Sequence, residues 1–156
     1  MDSGYSWTEL VEMAIQVEKA GESYYRRAAA EMDGEMRSIL RSLADAEREH
    51  AEVFHSLLPE GFGEGTKGIS AEEAMPYVKQ LVGASLLGYL ADCRNIDGQM
   101  GEPREILEFA LGFERETVKF YASLRDQVTK PGVVDRVISE ERKHIDRIRK
   151  MIESLS

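Results

Sequence analysis

Apolar residues recur at three-and-four spacing along four long stretches of this chain, with no alternating runs and no tight hairpin turns between strand-like segments. In the first stretch Leu10, Met13, Ala14, Val17, Gly21, Tyr24, Tyr25 and Ala28 share a face. Ser6-x-x-Glu9 supplies a capping box at its start, and the pattern holds to about Met32, where Asp33-Gly34 punctuates it. A second helix is expected from about Glu35 to Leu58, with Ile39, Leu43, Ala46, Ala51, Phe54, Leu57 and Leu58 inward. So short a turn makes these two helices antiparallel neighbours.

Pro59 and the glycines Gly61, Gly63, Gly65 and Gly68 then open a long connection to about Gly101. Within it Ser70-x-x-Glu73 suits a helix cap, Pro76 a break, Tyr77–Asp92 a helix and Asn95–Gly101 a loop. A third long helix starts near Glu102-Pro103, with Ile106, Leu107, Ala110, Phe113, Thr117, Phe120, Tyr121 and Leu124 inward. After Pro131-Gly132 a fourth carries Val134, Val137, Ile138, Ile145, Ile148, Met151, Ile152 and Leu155 on one stripe. Two antiparallel pairs joined by one long crossover that contains an extra helix give an all-α, ferritin-like antiparallel four-helix bundle.

At 156 residues the chain suits one domain, 1–156, and 42% apolar content is enough to give it a core. The net charge of −9 disfavours nucleic acid as a partner, because such binding rests on Lys and Arg neutralising phosphates. The single Cys93 excludes an internal disulfide and a four-cysteine metal site, and fits a reducing, cytoplasmic setting. Met1–Thr8 lacks the pattern of a secretory signal. Tyr77–Leu90, the most apolar stretch, carries Lys79 and two glycines and is too short to span a bilayer, so no membrane partner is expected.

The chemistry lies in an internal repeat. Val17-Glu18 is followed by Tyr24-Tyr25, and Phe113-Glu114 by Phe120-Tyr121 at the same offsets. Glu47-Arg48-Glu49-His50 follows the first of these and Glu141-Arg142-Lys143-His144 the second, so the order Glu, then Glu-x-x-His, occurs twice. Spacing alone is weak, because Glu52-x-x-His55 also has it; His55 falls about 140° round the helix from His50, on a polar face, and is read as a surface residue. The other six lie among apolar neighbours and are expected to point into the core. Four carboxylates buried together cost many kcal/mol unless something compensates them, and divalent cations do so. A Glu and a His at i, i+3 share a helix face. The expected metal ligands are therefore Glu18, Glu47, His50, Glu114, Glu141 and His144: each Glu-x-x-His helix offers one oxygen and one imidazole, and each lone Glu can bridge or chelate. Two imidazoles and four carboxylates suit iron or manganese better than a thiolate-preferring metal. No catalytic residue is expected beyond these ligands. Tyr25 and Tyr121 are core residues that are also candidates to bond a ligand carboxylate from behind or to supply an electron. Cys93 is expected to be an ordinary, partly buried thiol.

On these motifs the sequence resembles the rubrerythrin branch of the ferritin-like superfamily, over Ser6–Met32, Glu35–Leu58, Glu102–Val128 and Val133–Leu155. The resemblance implies a non-haem di-iron centre on the same six ligands, with two iron ions as cofactor (manganese or zinc being the other candidates), and a homodimer. It implies an oxidoreductase that reduces hydrogen peroxide, or oxygen. Two departures stand out. Rubrerythrins usually add a rubredoxin-like domain with four iron-binding cysteines, so here electrons are expected from an external donor such as a rubredoxin-like protein. They also commonly carry a further Glu one turn before the third-helix ligand, where this chain has Leu111. The alternatives are a ferroxidase in an iron storage or transfer subunit, and a non-catalytic metal-binding module.

Overall fold

In the computed structural model, residues 7–59, 85–94 and 100–155 are described, and all regular structure among them is helical. The helices are α1 (Trp7–Ala30), α2 (Gly34–Ser56), α3 (Ser85–Arg94), α4 (Pro103–Leu124) and α5 (Pro131–Ser154). The expected cap at Ser6, the cap at Ser70, the break at Pro76, the start of the Tyr77 helix and residues 95–99 of the Asn95–Gly101 loop lie outside the described residues.

Cross-helix contacts set the directions. Arg26 pairs with Asp45 at 3.1 Å while Glu18, farther back on α1, meets His50, farther on along α2, so these two run antiparallel. Arg125 with Asp135 establishes the same for α4 and α5. Tyr24 donates to the Ile106 carbonyl and Tyr121 to that of Ala14, which makes α1 antiparallel to α4. It follows that α2 and α4 point the same way. The chain leaving α2 must therefore return along the bundle, a distance of about 35 Å for a helix of 23 residues, before α4 can begin. That geometry is why the connection between the two halves has to be long.

The turns have local causes. Gly34 opens α2 at φ +60°, a conformation costly for a residue with a Cβ. The Arg37 guanidinium reaches back to the carbonyls of Ala29 and Met32, at 3.2 and 2.7 Å, and satisfies acceptors that the end of α1 leaves open. At the start of α4, the Glu102 amide donates to the Glu105 carboxylate and Pro103 occupies the first turn.

Two apolar clusters lie on either side of a polar layer. One contains Leu10, Val17, Phe54, Phe113, Phe120, Tyr121 and Val137; the other contains Tyr24, Tyr25, Leu40, Leu43, Leu107, Ala110 and Ile148. Val11 and Ile15, which lie off the expected α1 stripe, are also buried and share a cluster with Leu86 of α3. The crossover helix thus buries a second face of α1.

Several expectations shift at the edges. α1 ends at Ala30 rather than Met32, and α4 ends at Leu124 rather than near Val128. Leu155 is exposed rather than inward, because it caps α5 beyond the last turn that faces a neighbour. Cys93 is buried, in the cluster with Tyr24 and Ile106. No helix among the described residues is long and apolar enough to cross a membrane.

Gly112 is the point where α3 rests on α4. A Cβ there would fall 2.0 Å from the Tyr89 hydroxyl oxygen, and Tyr89 in turn lies edge-on to Phe109 at 5.0 Å. Gly112→Ala is expected to displace Tyr89 and cost about 1–3 kcal/mol. Urea unfolding of the two proteins measures this; equal stability would mean that Tyr89 is not held against α4.

Candidate metal centre

Each long helix of the bundle sends polar side chains into the layer between the two apolar clusters. Glu18 comes from α1, Glu47 and His50 from α2, Glu114 from α4, Glu141 and His144 from α5. Five of them are at most 2% exposed and His144 is 6% exposed. His55, which has the same Glu-x-x-His spacing as His50, is exposed. The helical offset of five residues separates the two as the periodicity requires.

The six buried groups converge into two overlapping sets. Glu18, Glu47, His50 and Glu141 offer ligand atoms all within 4.8 Å of one another, and so do Glu47, Glu114, Glu141 and His144. Glu47 and Glu141 belong to both. The imidazoles face each other at 5.8 Å, nearly parallel, and both present Nδ1 to the carboxylates. His50 Nδ1 donates to Glu18 Oε1 at 2.9 Å and also lies 2.7 Å from Glu141 Oε1, off the axis of a hydrogen bond. His144 Nδ1 is 3.7–3.8 Å from oxygens of Glu47, Glu114 and Glu141, too far for hydrogen bonds. Glu47 packs beside Gly21 of α1: a Cβ at position 21 would meet the Glu47 carboxyl carbon at an ordinary 3.4 Å and Phe113 Cε2 at a tighter 3.2 Å.

Several of these atoms have no hydrogen-bond partner. Glu47 Oε1, Glu114 Oε2, both oxygens of Glu141 and His144 Nδ1 are buried without a hydrogen bond. Buried polar groups are nearly always satisfied, so five such atoms turned toward a common centre call for a counterpart. Carboxylate oxygens and imidazole nitrogen at this density match divalent cations, and the sharing of Glu47 and Glu141 provides for two of them. The donor set fits a two-metal centre.

Without cations, protons must take that role. Burial, with repulsion among neighbouring carboxylates, raises Glu18 and Glu47 well above the ordinary range and brings Glu114 to about 7. Burial pushes the other way on Glu141 and on both imidazoles, but pairing outweighs it. Glu114, His144 and His50 hold Glu141 low, and the surrounding carboxylates raise His50 and bring His144 up to about 12. The metal-free centre thus favours the charged forms of Glu141 and the imidazoles and the protonated forms of the other carboxyls.

These directions fix a pH dependence. A carboxyl whose folded value is raised contributes stability that is complete below its unfolded value and is lost as pH rises through the folded one. For Glu114 the window runs from 4.5 to about 7. Its size is on the order of 3 kcal/mol. His144 keeps its contribution until pH nears 12, and Glu141 loses its own only in acid. Metal-free protein is therefore expected to melt at a lower temperature at pH 8 than at pH 5.5, whereas loaded protein reverses the order, because metal displaces the protons. Calorimetry with and without chelator checks this; a metal-free midpoint that rises over that interval contradicts it.

Two further residues were not legible as part of the site. Glu140, the neighbour of Glu141, accepts from His50 Nε2 at 2.5 Å, so His50 is held at both nitrogens. It lies about 100° round α5 from the ligand face, where helical periodicity reads as surface. Thr117, one turn after Glu114, has a buried hydroxyl without a partner. The two tyrosines differ. Tyr25 donates to Glu114 Oε1 at 2.9 Å, whereas Tyr121 reaches only the Ala14 carbonyl, at 3.4 Å.

Four antiparallel helices with a return crossover, closing on two Glu-x-x-His pairs and two further carboxylates, define a ferritin-like di-metal carboxylate protein. The rubrerythrin family model matches residues 9–91, and the chain belongs to the rubrerythrin family. Among solved structures, a Thermotoga maritima protein described as a proposed ferritin-like diiron-carboxylate protein superposes with a TM-score of 0.67. It is 19% identical and the match covers 97% of each chain, a likeness of fold. No curated protein matches the sequence.

Proposed function

We propose that this protein is a di-iron oxidoreductase that reduces hydrogen peroxide, or oxygen, with electrons from an external donor. The observation that carries the reading is the pair of overlapping ligand sets sharing Glu47 and Glu141. Two metals held that close can act together on one small oxidant. When bound, iron would supply the two electrons that, with two protons, take hydrogen peroxide to two waters.

The protein's part is placement and shielding. Glu18, His50, Glu114 and His144 would each hold one ion, and Glu47 and Glu141 both. Tyr25 donates to Glu114 Oε1 and leaves the buried Oε2 free to bind. Phe54 and Phe113, both fully buried, belong to the apolar cluster that closes one side of the layer. The electron donor, read as a rubredoxin-like protein, would dock outside the bundle, and the chain would work as a homodimer in the cytoplasm.

The test is stopped-flow mixing of anaerobically prepared di-ferrous protein with one equivalent of peroxide. The proposal requires oxidation of both irons per peroxide, much faster than for free ferrous iron at the same concentration. Oxidation no faster than free iron sinks the peroxidase reading. Fast oxidation by oxygen with iron retained as a mineral would assign a ferroxidase instead.

A further inference from the structure

The two halves of the repeat differ at a position that bears directly on one imidazole. Aligning Ala46-Glu47-Arg48-Glu49-His50 with Glu140-Glu141-Arg142-Lys143-His144 sets Glu140 opposite Ala46. Glu140 crosses from α5 to α2 and accepts from His50 Nε2. The repeat-related contact would run from position 46 to His144 Nε2, and Ala46 has no carboxylate to offer. Among the described residues nothing bonds that nitrogen.

The consequence is chemical as well as geometric. A neutral imidazole has one N–H, and which nitrogen carries it depends on the partner of the other. When a metal replaces the Nδ1 proton, Nε2–H stays committed to Glu140, and Nδ1, which faces Glu18 and Glu141, is the nitrogen whose lone pair is offered. An anionic acceptor behind an imidazole also makes it a stronger donor to a metal. On the other side the outer contact has the opposite sense. The Tyr25 hydroxyl donates to Glu114 Oε1 and draws charge from that ligand. Glu140 is placed to serve this purpose without strain on the core: its side chain is 47% exposed and lines a surface pocket of about 280 Å³ with His50, Glu49, Val53 and Arg136.

We infer that Glu140 is a positioning residue that locks His50 with Nδ1 toward the centre, so that the Glu18/His50 position takes its metal ion first and holds it more tightly than the Glu114/His144 position. This rests on the two-metal reading of the site and is independent of the reaction with peroxide.

The test is anaerobic calorimetric titration of the full chain with ferrous iron, for wild type, Glu140→Ala, Glu140→Gln and Ala46→Glu. Wild type is expected to bind two ions in two resolved steps. Glu140→Ala should weaken the tighter step about 10–100-fold and leave the other unchanged. Glu140→Gln, which still accepts through its amide oxygen, should recover part of the loss. Ala46→Glu, which supplies the missing acceptor to His144, should tighten the weaker step. Nitrogen-15 histidine spectra of the zinc-loaded protein give a readout that a merely structural role would not move. The His50 ring is expected as the Nε2–H form in wild type and Glu140→Gln, and as a mixture in Glu140→Ala. Two equal steps in wild type, or a Glu140→Ala variant that loses affinity equally at both positions or at neither, overturns the inference while the two-metal reading stands. A wild type that binds no iron overturns both.

Discussion

Glu141→Gln is expected to leave the protein with almost no bound metal, whereas Glu18→Gln should still hold about one ion per chain. The difference follows from the sharing of ligands. Glu141 contributes an oxygen to both sets, while Glu18 contributes to one. Glu141 is also the carboxylate that the centre keeps ionised, held by Glu114, His144 and His50 against the effect of burial. Replacing it with an amide removes a negative charge from both positions and leaves two imidazolium neighbours without their shared partner. Loss of such a bridge exceeds the 10–100-fold expected for groups that only support a ligand. Metal analysis after anaerobic loading and desalting distinguishes the cases. Two ions per chain in Glu141→Gln, or none in Glu18→Gln, would show that the pairing of ligands into sets is wrong.

The second large effect runs against the usual result of altering a core residue. Glu47→Leu is expected to make the metal-free protein more stable at pH 8, by about 1–3 kcal/mol, the cost of a buried polar group without a partner. Glu47 is buried, its Oε1 has no partner, and burial together with Glu114, Glu141 and Glu18 raises its proton affinity. Ionising it there is costly, and an apolar side chain of similar volume avoids that cost. On the α1 side Leu would lie against Gly21, close to Phe113. The gain should shrink at pH 5.5, because the cost of a carboxyl whose proton affinity is raised by burial falls as pH falls. The same substitution removes a ligand from both sets and should weaken the binding of both ions, so stability and function are set against one another at this residue. Urea unfolding in chelator at the two pH values decides it; a variant less stable than wild type at pH 8 would mean that Glu47 is satisfied by something other than metal.

The four-helix pattern was legible because three-and-four spacing is a local property. Val17, Leu43, Phe113 and Ile148 are buried where that spacing sets them. The repeat made the centre legible too: a charged residue on an apolar stripe is conspicuous, and six such residues in duplicated order are hard to arrange by accident. His55 shows the limit of motif spacing, since it shares the spacing and not the burial. The edges of elements were less legible. The end of α1 depends on Arg37, a residue of the next helix, supplying donors to the Ala29 and Met32 carbonyls. The burial of Val11 and Ile15 depends on Leu86, far along the chain.

What the sequence determined by itself was therefore the helices, the face each one buries and the carboxylates and imidazoles set on those faces, because a helix relates neighbours three and four apart whatever else the chain does. Tertiary structure alone decided which groups meet across helices. It joined Glu47 and Glu141 to both ligand sets, sent Tyr25 to Glu114 but Tyr121 to a backbone carbonyl, and brought Glu140 behind His50. Those pairings depend on the direction and stagger of whole helices, which are fixed by packing over the length of the bundle and by no short stretch of sequence.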